Sequence, residues 1–224
     1  MVGRAGVKTT TLAALLDRLN RTERRHIVTI EDPVEYEHAH ARSIVEQIEV
    51  GVDAPSFAAA LVAALRQDPD VILVGEMRDL ETTRTALTAA ETGHLVLATL
   101  HTNDVPQTVN RIVDIFPAEQ QSQVKHQLSL ALTAIVCQQL MPRKDGAGRV
   151  VATELLIAND SIRAHIRRGS FHQLHSELTL GRRFGMSTME DSLAALVKAG
   201  SVTEAEARLR SSHPDDLESR LRGA

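Results

Sequence analysis

Val71-Ile72-Leu73-Val74 is apolar at every position, with Asp68-Pro69-Asp70 before it and Gly75-Glu76 after it. A strand with one wet face alternates polar and apolar residues; an uninterrupted run bounded by turn signals suits a strand covered on both faces. Segments of similar character recur at 26–30 and 94–100, and 43–50 alternates like a strand. Helical spacing separates them. Leu12, Leu15, Leu16 and Leu19 share a face over 9–19, and Phe57, Leu61 and Leu65 repeat every four residues over 56–66. A helix over 80–92 has Asp79 as its cap and Gly93 as its stop, and one over 105–115 carries Pro106 in its first turn. Strands alternating with helices imply a parallel sheet in an α/β core.

The pattern changes after Phe116. The stretch 118–140 reads as mostly helical, and 149–157 as a strand after a turn at Asp145-Gly146-Ala147-Gly148. Short helices come next at 162–168, 171–178, 188–198 and 203–210. The expected organisation is an α/β core over 1–117 whose first strand is missing, a mostly helical subdomain over 118–210, and a polar, frayed tail over 211–224.

Composition narrows the function. Aromatics make up 2% of the chain, so the core must be aliphatic. A formal net charge of -4 and few stacking platforms argue against a general nucleic-acid binder. The single cysteine, Cys137, excludes an intrachain disulfide and a cysteine zinc cluster; it reads as a core residue in a reducing cytoplasm. No stretch approaches the ~20 apolar residues of a membrane span. The start lacks the apolar core of a signal peptide.

Acids and a lysine gather around the expected strand ends. Gly3-Arg4-Ala5-Gly6-Val7-Lys8-Thr9-Thr10 looks like a phosphate-binding loop opening a helix, where backbone N–H groups and a lysine hold phosphates and a hydroxyl reaches Mg²⁺. It is one residue short of the full pattern, with Val7 where the last glycine belongs; taken alone it reads as a polar turn before a helix. Glu76 follows a buried strand, where α/β proteins bind ligands, and can orient or deprotonate a water; it can also simply pair with Arg78. Glu31, Asp32 and Glu35 crowd like charges after another strand, which suits a Mg²⁺–nucleotide site or a solvated acidic loop. His94 and His101 bracket the strand at 94–100. His38/His40 and His172/His175 have ligand-like spacing but no obvious further ligands nearby, which weighs against a metal.

In this order, the loop, the acidic box at 31–35, the strand ending in Glu76 and the histidine box at 94–101 resemble the secretion ATPase superfamily of type II secretion and type IV pilus motors. Ala90-Glu91-Thr92-Gly93-His94 and Leu65-Arg66-Gln67-Asp68-Pro69-Asp70 are similar to that superfamily almost letter for letter. The resemblance implies a RecA-like P-loop NTPase core that binds ATP and Mg²⁺. It implies phosphate contacts from Gly3, Gly6, Lys8, Thr9 and Thr10, with Thr9 touching Mg²⁺. Glu76 would position water, Glu35 would act as base or Mg²⁺ ligand, and Asp32, Arg66, His94 and His101 would contact the nucleotide or relay its state.

Ser161-Ile162-Arg163-Ala164-His165-Ile166-Arg167-Arg168 is similar to the Ala-Ile-Arg-Asn-Leu-Ile-Arg-Glu helix of the retraction (PilT) branch, from which it departs at Ala164, His165 and Arg168. Extension and secretion motors usually carry a four-cysteine insertion, which one cysteine rules out. The resemblance further implies a homo-hexamer at the cytoplasmic face of the inner membrane, reaching it only through partners such as the pilus platform protein. The family's PAS-like N-terminal domain is absent from these 224 residues. With the short loop, that makes weak ATP hydrolysis the expectation. The rival readings are a catalytically dead interaction protein with this fold, a pilus-extension or type II secretion motor, and a RecA-like DNA motor, for which no basic, aromatic DNA loop is present.

Overall fold

A computed structural model describes residues 5–223. It divides into two compact units, one running through His101 and including Ile112–Ala131, the other Thr102–Arg111 and the chain from Leu132 on.

The first unit holds helix α1 (Ala5–Thr22), strands β1 (His26–Glu31) and β2 (Ile44–Glu49), helix α2 (Phe57–Ala64), strand β3 (Val71–Val74), helix α3 (Leu80–Glu91) and strand β4 (Leu95–Ala98). Helix α4 (Val105–Asp114) divides between the units, and α5 (Ala118–Ala131) belongs to the first. The four strands form one parallel sheet, ordered β2-β1-β3-β4. Ile27, Val71 and Leu73 face Leu16, with Leu12 and Leu19 alongside. Val28, Ile30, Ile72 and Val74 point the other way, into Ala60, Leu61, Ala64, Ala86 and Ala89. Every residue of β3 is buried, as its composition predicts. Local chemistry starts the helices: Ser56 Oγ accepts from the Ala59 N–H at 3.2 Å, and Asp79 Oδ1 from the Thr82 N–H at 2.8 Å. Leu15, expected on the packed face of α1, is instead 44% exposed.

The second unit contains the antiparallel pair β5 (Ala134–Pro142) and β6 (Arg149–Ile157), then helices α6 (Asp160–Arg168), α7 (Leu174–Leu180), α8 (Met189–Lys198), α9 (Glu204–Arg210) and α10 (Pro214–Arg222). Two expectations are corrected here. The helix expected to reach residue 140 stops at Ala131, and the chain turns to strand at Ala134. Ile135, Cys137 and Met141 are buried with strand periodicity, and nine-residue pairing with β6 overrides the local helical pattern. The tail is not frayed. Pro214 opens α10, Leu217 is fully buried, and Arg220 Nε bonds Asp191 Oδ1 of α8 at 2.6 Å. The predicted turn joins β5 to β6, with Gly146 and Gly148 at φ 73° and 92°, where a side chain would be strained.

Candidate active site

All four strands of the first unit end at one edge of the sheet, because parallel strands share a direction. β3 runs into Gly75 and Glu76, β1 ends at Glu31, and β4 runs into Thr99, Leu100 and His101. Gly75 lets β1 and β3 finish close together: a Cβ there would stand 3.0 Å from the Ile30 carbonyl oxygen and 3.4 Å from Glu31 Cα. The Thr99 hydroxyl donates to the Gly75 carbonyl at 2.5 Å, tying the end of β4 to that of β3.

Helix α1 brings its early residues to the same edge. The Lys8 ammonium donates to the Leu100 carbonyl. Thr9 lines a small crevice of about 30 Å³ with Glu31, Tyr36, His38, Gly75 and Thr99. The exposed Thr10 hydroxyl is 2.9 Å from the Tyr36 hydroxyl. Glu31 is buried and accepts from the Thr29 hydroxyl at 2.8 Å and from Gln47 Nε2 at 3.3 Å, so its charge is partly compensated from within the sheet.

Glu76 is the hub. Its Oε1 lies 2.8 Å from His101 Nε2 and 2.5 Å from Arg78 Nε. Its side chain is only 17% exposed, whereas His101 and Arg78 are 44% and 72% exposed. A mostly covered carboxylate between two nitrogen donors that open to solvent has its orientation set, yet can exchange partners when a polyanion or cation arrives. The Glu76 carboxylate beside Arg78 raises the guanidinium pKa, and Asp32 adds a smaller pull in the same direction. The expected pairing of Glu76 with Arg78 is present, and His101, which the sequence did not tie to Glu76, joins it.

The structure thus assembles Lys8, Thr9, Thr10, Glu76 and His101 at this edge, with Asp32 near Arg78. Glu35, like Asp32, is exposed on the loop after β1. His94 and Arg66 are elsewhere. His94 precedes β4 at the amino edge, where its Nδ1 is 2.9 Å from the Ala89 carbonyl and 3.1 Å from the Thr92 hydroxyl; that is the work of a helix-end residue. Arg66 lies in the 3-10 turn Leu65–Gln67 before β3, also at the amino edge. Gly3 lies outside the described residues, and Gly6 falls within α1, which begins at Ala5, ahead of the expected start. Thr99, Tyr36 and Gln47 were not singled out from sequence. Thr99 had a signal, being the first polar residue after the apolar run of β4. Tyr36 and Gln47 had none, since their partners are distant in the chain. His40 is structural here: its Nδ1 accepts from the Val45 N–H at 3.1 Å; the backbone N–H of His38 donates to Gln47 Oε1 at 2.8 Å.

The donor set fits a polyphosphate with a divalent cation. It offers an ammonium, two hydroxyls, a guanidinium and a carboxylate at the end of a buried strand.

Comparison with known proteins agrees with this chemistry. The family model described as type II/IV secretion system protein matches residues 3–223. The twitching motility protein of Neisseria gonorrhoeae is 49% identical over 210 residues, 94% of this chain and 56% of that protein. The type IV pilus retraction ATPase PilT of Pseudomonas aeruginosa is 48% identical over 210 residues, 94% of this chain and 61% of the relative. Among solved structures, the pilus retraction motor PilT with bound ADP superposes with a TM-score of 0.87 at 52% identity, covering 94% of this chain and 59% of that one. The Legionella pneumophila ATPase DotB superposes with a TM-score of 0.81 at 30% identity, covering 92% and 57%. The chain spans about six-tenths of the length of these relatives.

Proposed function

The chain belongs to the type II/IV secretion system protein family, and from that premise we propose that it is the nucleotide-hydrolysing portion of a motor that retracts type IV pili. The observation that carries this reading is the convergence of Lys8, Thr9, Glu76 and His101 on one edge of a parallel sheet. In it, Lys8 and the first turns of α1 bind the phosphates of ATP, and Thr9 contacts the Mg²⁺ that screens them. Glu76 holds the attacking water and draws its proton, while His101 and Arg78 fix the carboxylate and respond to the terminal phosphate. Glu35 and Asp32 bring further negative charge to the cation.

Retraction rests on α6. Ile162 and Ile166 are fully buried and hold the helix to its unit, leaving the half-buried Arg163 and the exposed Arg167 on the outer side to transmit motion. We assign the working assembly to a homo-hexamer at the cytoplasmic face of the inner membrane, acting on the platform protein at the pilus base. No helix among the described residues is long and apolar enough to cross a membrane.

One observation favours slow turnover. Val7 stands where the last glycine of the full phosphate-loop pattern belongs, and the loop is one residue short, which leaves fewer backbone N–H groups to converge on phosphate. ATP turnover and nucleotide affinity of the protein, Lys8→Ala and Glu76→Gln decide between these readings. A hydrolase loses nucleotide affinity in the first variant and turnover alone in the second. Turnover unchanged in both would remove this edge as the active site. Nucleotide binding with no turnover in the parent would identify a binding subunit instead.

A further inference from the structure

The second unit holds a cluster of metal-ligating side chains remote in function from the sheet edge. His175 lies in α7, Glu190 in the first turn of α8, and His213 immediately before α10. One ligand atom from each lies within 4.8 Å of the others. Tetrahedral ligands at ~2.0–2.1 Å from a zinc ion are ~3.3 Å apart, so the three groups would draw together on binding one.

Glu190 makes the cluster more than a chance gathering. Its side chain is 1% exposed. Its Oε1 accepts from the Ser211 hydroxyl at 2.9 Å and the His213 N–H at 3.2 Å, whereas its Oε2 is buried with no hydrogen-bond partner among the described residues. A buried carboxylate oxygen left without a donor is costly, and a cation supplies what is missing. The two imidazoles stack with centroids 3.7 Å apart and planes 14° from parallel. Asp216 Oδ2 lies 2.9 Å from His175 Nε2 and orients that ring, as carboxylates behind metal-bound histidines do. His213 is 44% exposed, so its ring can turn out of the stack and aim a nitrogen at an ion held by Glu190 and His175. A cleft of about 670 Å³ lined by His175, His213 and Asp216 admits an ion from solvent.

We propose that His175, Glu190 and His213 form a binding site for a borderline divalent transition metal, Zn²⁺ above all, which clips the segment entering α10 onto α7 and α8. Two imidazoles and one carboxylate select Zn²⁺ over Mg²⁺ or Ca²⁺, which prefer all-oxygen shells. Three protein ligands leave a fourth position for water from the cleft. The site stands apart from the nucleotide chemistry, and its test does not involve ATP.

The protein is stripped with EDTA and titrated with Zn²⁺ by calorimetry, with melting followed in parallel. One ion per chain should bind, raise Tm, and be removed by EDTA with Tm returning; Mg²⁺ should do neither. His213→Ala and Glu190→Gln should each weaken Zn²⁺ by at least the ~10–100-fold that loss of a supporting group costs at metal sites. A His38→Ala/His40→Ala double variant should bind as the parent does. Far-UV circular dichroism establishes that each variant is folded. His213→Ala is the decisive one, because its exposed position tolerates truncation. Absence of saturable Zn²⁺ binding by the parent, or an affinity in His213→Ala within twofold of it, overturns the proposal.

Discussion

The two units use their charges in opposite ways. At the sheet edge, Glu76 is only 17% exposed but its partners His101 and Arg78 open to solvent. In the second unit two carboxylates tie segments together through covered partners. Asp191 holds Arg220 of α10, itself only 13% exposed, at 2.6 Å, while Glu154 takes the N–H groups of Val105 and Met189 at 2.8 and 3.3 Å from almost complete burial. Charges that must exchange partners during a reaction need solvent on one side. Charges that join helices last longest where water cannot compete.

Substitutions can break this contrast. The largest effect belongs to Glu76→Gln, which should lower ATP turnover by ~10² or more, as removal of a positioned base does, while Tm stays close to that of the parent. Steady-state kinetics beside a melting curve will show whether activity and stability separate here. Next comes Leu217→Ala in the second unit, where a fully buried side chain pins α10. The expected loss is about 2–5 kcal/mol in a denaturant titration, with nucleotide affinity unchanged.

Asp191→Asn should cost about 1–3 kcal/mol, the range for a hydrogen bond to a charged group that leaves a partner unsatisfied. It also carries a pH signature. Burial pushes the Asp191 carboxyl up, but Arg220 and the Thr188 donors outweigh it and hold its pKa below the ordinary value. Its stabilising contribution is therefore complete above the usual aspartate range and is lost as pH falls through the lowered value. Acid unfolding followed by circular dichroism should start at higher pH in the variant. The smallest effect should come from Arg21→Ala. Its pair with Asp17 is 72% and 47% exposed, and stability should move by less than about 0.5 kcal/mol. A larger loss would mean that exposed pairs on α1 hold structure after all, and the contrast between the units would fail.

Much of the first unit was legible because its signals are local. The run Val71–Val74 announced a doubly covered strand, α2 fell within the expected 56–66, and Asp79 capped α3 as expected. The placement of Glu76 and His101 was also legible, since parallel strands deliver the residues beyond their carboxyl ends to one edge. His94 and Arg66 come before β4 and β3 in the chain, and the same strand polarity sets them at the opposite edge. β3 and β4 make the same point. Both read as apolar runs, but β3 is central and fully buried, whereas β4 is an edge strand of the described sheet with Leu95 41% exposed.

By itself, the sequence determined the α/β alternation, the cap of α3 and which side chains lie beyond the strand ends, because periodicity, capping and strand polarity act over a few residues. Only the tertiary structure decided that 134–142 is strand rather than helix, that α10 is docked rather than frayed, and that His175 meets Glu190 and His213. Each of these depends on a partner far along the chain. β5 needs the hydrogen-bonding edge of β6, Leu217 needs a cavity to fill, and a ligand set needs three separate segments in register, and no local window contains those partners.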